Sequence, residues 1–255
     1  MSELETIVQA ARALRRRGEP YALATLVRVE GSSYRRPGAR MLMTPDRWIA
    51  GSVSGGCLEG DVVRKAWWRT ASGAPALVTY DSTSDDDAGW GFGLGCNGVA
   101  TILVERVTPG HDPLAFVERV VAGEGRETRG ALATVFRTTH AGAPVGARLA
   151  LAEDGTIETT LDGRARDALL PALNAALAGR PAFVHETDGL GALIEPVAPP
   201  PQLFIVGAGH DALPLVTMAR AVGWRVTVFD RRGRMATRAR FAEADHVLGG
   251  SLEAL

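Results

Sequence analysis

The sequence predicts an α/β protein, in which a duplicated mixed α+β domain precedes a Rossmann-like portion that is incomplete on its C-terminal side. Three observations predict it. A segment of strands with one helix, 22–107, recurs in shortened form at 131–197. The cluster Pro196, Pro199, Pro200 and Pro201 then marks a domain boundary. Beyond it an apolar strand runs into Gly-x-Gly and a helix, and a third strand follows before Leu255. The expected domains are therefore 1–197 and 202–255.

The elements follow from periodicity. Leu4, Ile7, Val8, Ala11 and Leu14 recur at helical spacing, and Gly18 and Pro20 end that helix. Strands are expected at 21–30, 40–44 and 48–53, with Pro45-Asp46 as the turn before the third. A helix is predicted from Cys57 to Arg69, with Leu58, Val62 and Ala66 on one side. Strands at 76–81 and 98–107 enclose the acidic, glycine-rich stretch DSTSDDDAGWGFGLGCN. A helix near 113–121 leads to the second copy, whose own helix is placed at 165–177. After the prolines come a strand running into the loop at 202–210, a helix at 212–223, a strand at 224–230 and a third at 244–250. The edge of this sheet is placed at Val247-Leu248, which calls for a covering partner: either dimerisation or marginal stability after Pro201.

The duplication acts as an internal control on the two cysteines. ALATLVR at 22–28 is echoed by ALATVFR at 131–137, and Gly38-Ala39-Arg40 by Gly146-Ala147-Arg148. Val104-Glu105 matches Ile194-Glu195 once the stretch near 80–97 is dropped from the second copy. In this register Gly55 falls on Gly163 and Cys57 on Ala165. A fold that forms twice, once without either cysteine, does not need Cys57 or Cys96 for packing. SVSGGCLEG places Cys57 at a helix N-terminus, where the dipole favours a thiolate. Gly55 and Gly56 are expected to aim backbone amides into an anion-binding nest. Glu59 reads as a base, a hydrogen-bond acceptor or a partner of the helix dipole. Cys96, flanked by Gly93 and Gly95, reads equally as a soft ligand for a metal or sulfur centre and as a buried or disulfide partner of Cys57. The two cysteine loops are expected on one face.

A net charge of −1 argues against nucleic acid or an anionic membrane as the main partner. No apolar run approaches the roughly 18 residues of a spanning helix. The N-terminal stretch lacks a signal-peptide core, and two cysteines suit a reducing compartment, so a cytoplasmic location is expected. In GAGHDA, Gly207 allows the tight turn and Gly209 the approach of a diphosphate, with His210 at the mouth. Asp230 ends the next strand, where an acid binds a ribose diol. This motif supports one reading of the chain, an NAD(P)-dependent oxidoreductase with an N-terminal substrate domain.

Taken together, SSYRRPGARMLMTPDRWIAGSVSGGCLEGDVV, the acidic loop leading to GLGCNG, and VGAGHDALPLVTMARAVGWRVTVFDRR resemble the XdhC/CoxI family of xanthine dehydrogenase accessory proteins. The resemblance implies a maturation chaperone, non-catalytic or weakly catalytic. It would bind molybdenum cofactor (molybdopterin, as mononucleotide or dinucleotide) and help replace an oxo ligand by sulfide. It would then deliver the cofactor to a molybdenum hydroxylase apoenzyme. A sulfur donor such as a cysteine desulfurase and a homodimeric state belong to the same expectation. On this basis Cys57 and Cys96 match the family's motif cysteines, as molybdenum or sulfur contacts, and Gly207, Gly209 and Asp230 its nucleotide-fold positions. Pterin phosphate is expected on the glycine-loop amides. Asn97 departs from the family's usual glycine.

Overall fold

A computed structural model describes residues 3–82, 97–108, 110–122, 129–187 and 189–251. The chain divides into two compact units, Ile7–Pro199 and a second that holds Pro200 onward together with the first residues of the chain. The larger unit begins at Ile7 within helix α1 (Glu3–Arg17), followed by β1 (Ala22–Gly31), β2 (Arg40–Met43), β3 (Trp48–Gly51), α2 (Glu59–Arg69), β4 (Ala76–Asp81) and β5 (Gly98–Arg106). Helix α3 (Ala115–Ala122) leads to β6 (Gly130–Thr138), β7 (Arg148–Ala152), β8 (Ile157–Thr159), α4 (Gly163–Leu177), β9 (Phe183–Thr187) and β10 (Leu190–Val197).

The two halves have the same topology. One sheet is ordered β3-β2-β1-β5-β4 and the other β8-β7-β6-β10-β9, with each neighbouring pair antiparallel. Even the irregularities match: a register shift at Val27 recurs at Phe136. Ala22, Ala24 and Leu26 of β1 pack with Val62 and Ala66 of α2. On the opposite face Leu23, Leu42 and Ala50 pack with Ile7, Ala11 and Leu14 of α1. Burial on both faces explains why β1 reads as a nearly continuous apolar run. In the second repeat Ala131, Ala133 and Val135 pack with Leu169 and Leu173 of α4. Val27, Leu103, Phe136 and Leu193 form a cluster shared by the two sheets.

Two buried ion pairs cross between the repeats. Arg40 of the first repeat donates both terminal nitrogens to the Glu195 carboxylate of the second, with Nη1–Oε2 at 2.9 Å. Arg148 of the second donates to Glu105 of the first, with Nη1–Oε1 at 2.9 Å and Nη2–Oε2 at 2.5 Å. Each arginine also donates to a carbonyl two residues back, Gly38 and Gly146 respectively. Both glycines have positive φ, and a Cβ on Gly146 would lie 2.9 Å from Glu105 Oε1. The Gly-Ala-Arg echo thus marks the place where each arginine crosses to the other repeat. Burial by itself raises the Glu105 carboxyl, but the Arg148 charge and the His111 and Arg148 hydrogen bonds hold it below the ordinary glutamate value.

The second unit contains β11 (Gln202–Val206), α5 (Ala212–Ala221), β12 (Arg225–Asp230) and β13 (His246–Gly249). Its three strands are parallel in the order β11-β12-β13. Val226, Val228, Ala212, Val216 and Phe241 form its core. In this order β13, which carries Val247-Leu248, lies at one edge of the sheet as expected, and β11 forms the other. Phe204 and Val206 of β11 are exposed.

Removing one member of a crossed pair strands a buried charge, and Arg40→Ala is expected to cost about 3–5 kcal/mol in urea unfolding. A combined replacement of Arg40 and Glu195 by Met and Leu is expected to recover most of that loss. A loss below about 1 kcal/mol in the single variant would show that the pair does not constrain the fold. The contribution of Glu105 is complete above the ordinary glutamate pKa and declines as pH falls through its lowered native value. Glu105→Gln should therefore flatten the acid limb of the stability profile.

Candidate functional site

Between β3 and α2 the chain turns through Ser52–Leu58, with Gly55 at φ 96° and Gly56 at φ 116°. These left-handed conformations point successive amides inward, as a nest requires. The anion in the nest is the chain's own Glu59. Its carboxylate accepts from the backbone nitrogens of Val53 (3.0 Å), Ser54 (2.8 Å) and Gly56 (2.8 Å), from Ser52 Oγ (2.7 Å) and from Ser54 Oγ. Glu59 is 1% exposed. Burial by itself pushes this carboxyl up, but hydrogen bonds from Ser54, Ser52 and the backbone overcome it and hold the group at about 2. Glu59 acts as a hydrogen-bond acceptor and, as the first residue of α2, is also placed as a partner of the helix dipole. The amides of this loop are therefore taken by Glu59, and the other glycine loop for which a pterin phosphate was expected lies mostly outside the described residues.

The nest also delays the helix. α2 begins at Glu59 rather than at the expected Cys57, because Glu59 must fold back over the turn. Cys57 is left on the loop, exposed and with a free thiol. In the second repeat Asp162 caps α4 directly, its side chain accepting from Ala165 N at 2.8 Å. The buried series Leu58, Val62, Ala66 and Ala165, Leu169, Leu173 align the two helices, so Cys57 corresponds to the exposed Arg164, where α4 is already running. The fold therefore closes without a nest or a thiol.

Cys57 opens into a cleft lined by Ser32, Ser33, Tyr34, Tyr80, Ser82 and Gly98. Tyr34, 77% exposed, lies over Gly55, where a Cβ would meet its Cδ1 at 2.6 Å. Tyr80 donates to Asp61 Oδ2 at 2.7 Å, and Asp61 also pairs with Lys65. Burial, followed by the Asp61 hydrogen bond, raises the Tyr80 phenol and keeps it protonated. Ser82 Oγ donates to Gly98 O at 2.8 Å. Ser82 and Gly98 bracket the stretch that carries Gly93, Gly95 and Cys96, three residues that lie outside the described ones. Among the described residues no three His, Cys, Asp or Glu side chains form a group suited to a metal ion.

In the second unit Gly207 has φ 120°, and Gly209 and the exposed His210 precede α5. Asp230 is buried at the end of β12 and turned inward: Oδ2 accepts from Ala208 N at 2.8 Å and Oδ1 from Arg232 N at 2.7 Å. The Arg232 guanidinium bonds both oxygens. The Arg232 side chain first, then the Ala208 and Arg232 amides, lower the Asp230 carboxyl. Asp230 thus ties the glycine loop to β12, where a ribose contact was expected.

Comparison with known proteins places this geometry. Residues 14–81, which include the nest, match the model of the XdhC and CoxI family, and residues 203–254 match that of the XdhC Rossmann domain. The chain belongs to the XdhC and CoxI family. A Bacillus subtilis protein named as a probable xanthine dehydrogenase subunit is 32% identical over 238 residues, which cover 90% of this chain and 65% of that protein. A crystal structure described as a xanthine dehydrogenase from Bacillus halodurans has a TM-score of 0.73 and 28% identity, over 100% of this chain and 69% of that one. The chain therefore spans about two thirds of the length of these relatives.

In this XdhC/CoxI protein several site residues escape sequence reasoning. Tyr34 and Ser82 carry no motif of their own. Arg240, which donates to the Ala208 carbonyl at 2.9 Å and braces the glycine loop, lies 32 residues away in sequence. Glu59→Gln exchanges an acceptor for a group with its own N–H donors, and is expected to destabilise by about 1–3 kcal/mol for each amide left unpaired. In the unaltered protein this stabilisation is complete above pH 4.5 and lost as pH falls towards 2, because the folded pKa is the lower one. Urea unfolding of both proteins between pH 2 and 7 checks this: the two curves should converge at the acid end.

Proposed function

We propose that this protein is an accessory factor for a molybdenum hydroxylase of the xanthine dehydrogenase type. In this reading it binds molybdenum cofactor, assists its sulfuration and hands it to the apoenzyme. The observation that carries the reading is an exposed thiol, Cys57, set at a hydroxyl-lined cleft by a nest that only one of two otherwise matching repeats contains. Family membership and the names of the relatives support the same assignment.

The residues of the cleft suit part of such a ligand. A thiolate is a soft donor appropriate to a molybdenum or sulfur contact. Ser32, Ser33 and Tyr34 offer hydroxyl groups to a polar heterocycle or phosphate, a role the nest amides cannot take while Glu59 fills them. When bound, the cofactor supplies the metal and its exchangeable oxygen or sulfur ligand. Glu59, held ionised and enclosed, neither gives nor takes a proton. Its role is to keep the loop rigid so that Cys57 is presented in one position. A cysteine desulfurase is the proposed class of sulfur source.

The test is anaerobic co-production with a hydroxylase apoenzyme, followed by oxidative release and fluorescence assay of bound pterin. The unaltered protein should carry pterin near stoichiometry. Cys57→Ala should carry at least about tenfold less with an unchanged melting temperature, since the side chain is exposed. Equal pterin in the two proteins would remove Cys57 from the site. Bound nicotinamide nucleotide without pterin would favour the oxidoreductase reading instead.

A further inference from the structure

The outer face of the second sheet opens into a cleft of about 590 Å³, within the range of small-molecule sites. A difference between the repeats creates it. In the first repeat the equivalent face, Leu23, Leu42 and Ala50, is closed by the 15-residue α1. The strand registers place Leu132, Ala150 and Glu158 at the corresponding positions of the second repeat. The helix that precedes β6 is α3, of eight residues. Its Phe116 ring lies against Gly130, where a Cβ would stand 2.4 Å from Cζ, and forms one wall. Pro113 and Pro144 supply other flat apolar surfaces, and Leu132 and Ala150 line the cleft.

His111 lines this cleft. Its Nε2 is 2.9 Å from Glu105 Oε1. Glu105 is fully buried and held ionised by Arg148, so it only accepts, and Nε2 must carry the hydrogen. In the neutral ring the lone pair is then on Nδ1, which makes no hydrogen bond among the described residues. The matching pair, Arg40 with Glu195, closes without a histidine. His111 is therefore surplus to the ion pair it touches.

We infer that this cleft binds a small flat molecule with an N–H or O–H donor, which packs against Phe116 and the prolines and hydrogen-bonds to His111 Nδ1. The inference does not depend on the reading of Cys57, and its test does not involve that residue. Benzimidazole, flat with one N–H, is the probe, and 1-methylbenzimidazole, which lacks the donor, is its control. Nitrogen-15 spectra of the histidine rings in the full chain report binding. Saturable benzimidazole binding that shifts the His111 nitrogens is expected, with the methylated probe several-fold weaker. Ala115→Trp, at the partly exposed start of α3, fills the cleft and should weaken binding at least about tenfold. His111→Phe should remove the preference for benzimidazole over its methylated form. Absence of a His111 shift up to the solubility limit overturns the inference. Equal affinity for the two probes, or unchanged binding by folded Ala115→Trp, overturns it as well. Tyr34→Ala, at the Cys57 cleft, should leave probe binding unchanged.

Discussion

Two carboxylates almost without water contact, Glu105 and Glu195, are each held by an arginine from the opposite repeat. An ionised carboxylate in such surroundings is costly unless a cation with matching hydrogen-bond geometry faces it. Neither repeat can bury its own glutamate alone, so the repeats must be set against each other with both pairs closed. Val27, Leu103, Phe136 and Leu193 then fill the space between the sheets. The arrangement is reciprocal because it descends from one sequence pattern, Gly-Ala-Arg on one strand and glutamate on another, written twice. Apolar contact is non-directional and would tolerate some sliding of sheet on sheet. Two bidentate pairs do not.

A duplicated frame of this kind lets the two copies diverge. The first repeat uses its strand–helix junction for the Glu59 nest and lifts Cys57 out of the helix, while the second starts its helix directly from Asp162. On the outer faces the roles reverse. The first repeat is closed by α1, while the second, with a short α3 and with Glu158 and Thr159 in place of Ala50 and Gly51, keeps an open cleft. Each specialised feature has a plain counterpart in the other copy, which shows that the fold does not require it.

Much of this was legible in advance. The strands and helices of the repeats follow from periodicity and punctuation, and the Gly-Ala-Arg echo pointed to the equivalence that the two sheet orders display. The glycine-rich loop was recognisable as a nest, because consecutive glycines before a helix have few other uses. Its occupant was not legible, since an acid three residues past a glycine can face solvent, a ligand or its own loop with the same local sequence. Asp230 shows the same ambiguity: its position fits a ribose contact, but the Ala208 amide and the Arg232 guanidinium claim both its oxygens. The edge at Val247-Leu248 was legible, but that β11 forms the opposite edge was not, because strand order in a parallel sheet is not written in strand sequence.

The sequence by itself determined the elements, the duplication and the family. These depend on interactions local in the chain or on patterns repeated within it. Only the tertiary structure decided which glutamate meets which arginine, that Glu59 fills its own nest, and that His111 stands over a cleft with Nε2 bonded to Glu105. Each of these joins groups across a turn or between strands far apart in sequence. Local propensity carries no information about such pairings, because a buried charge is satisfied by whatever the fold places within about 3 Å of it.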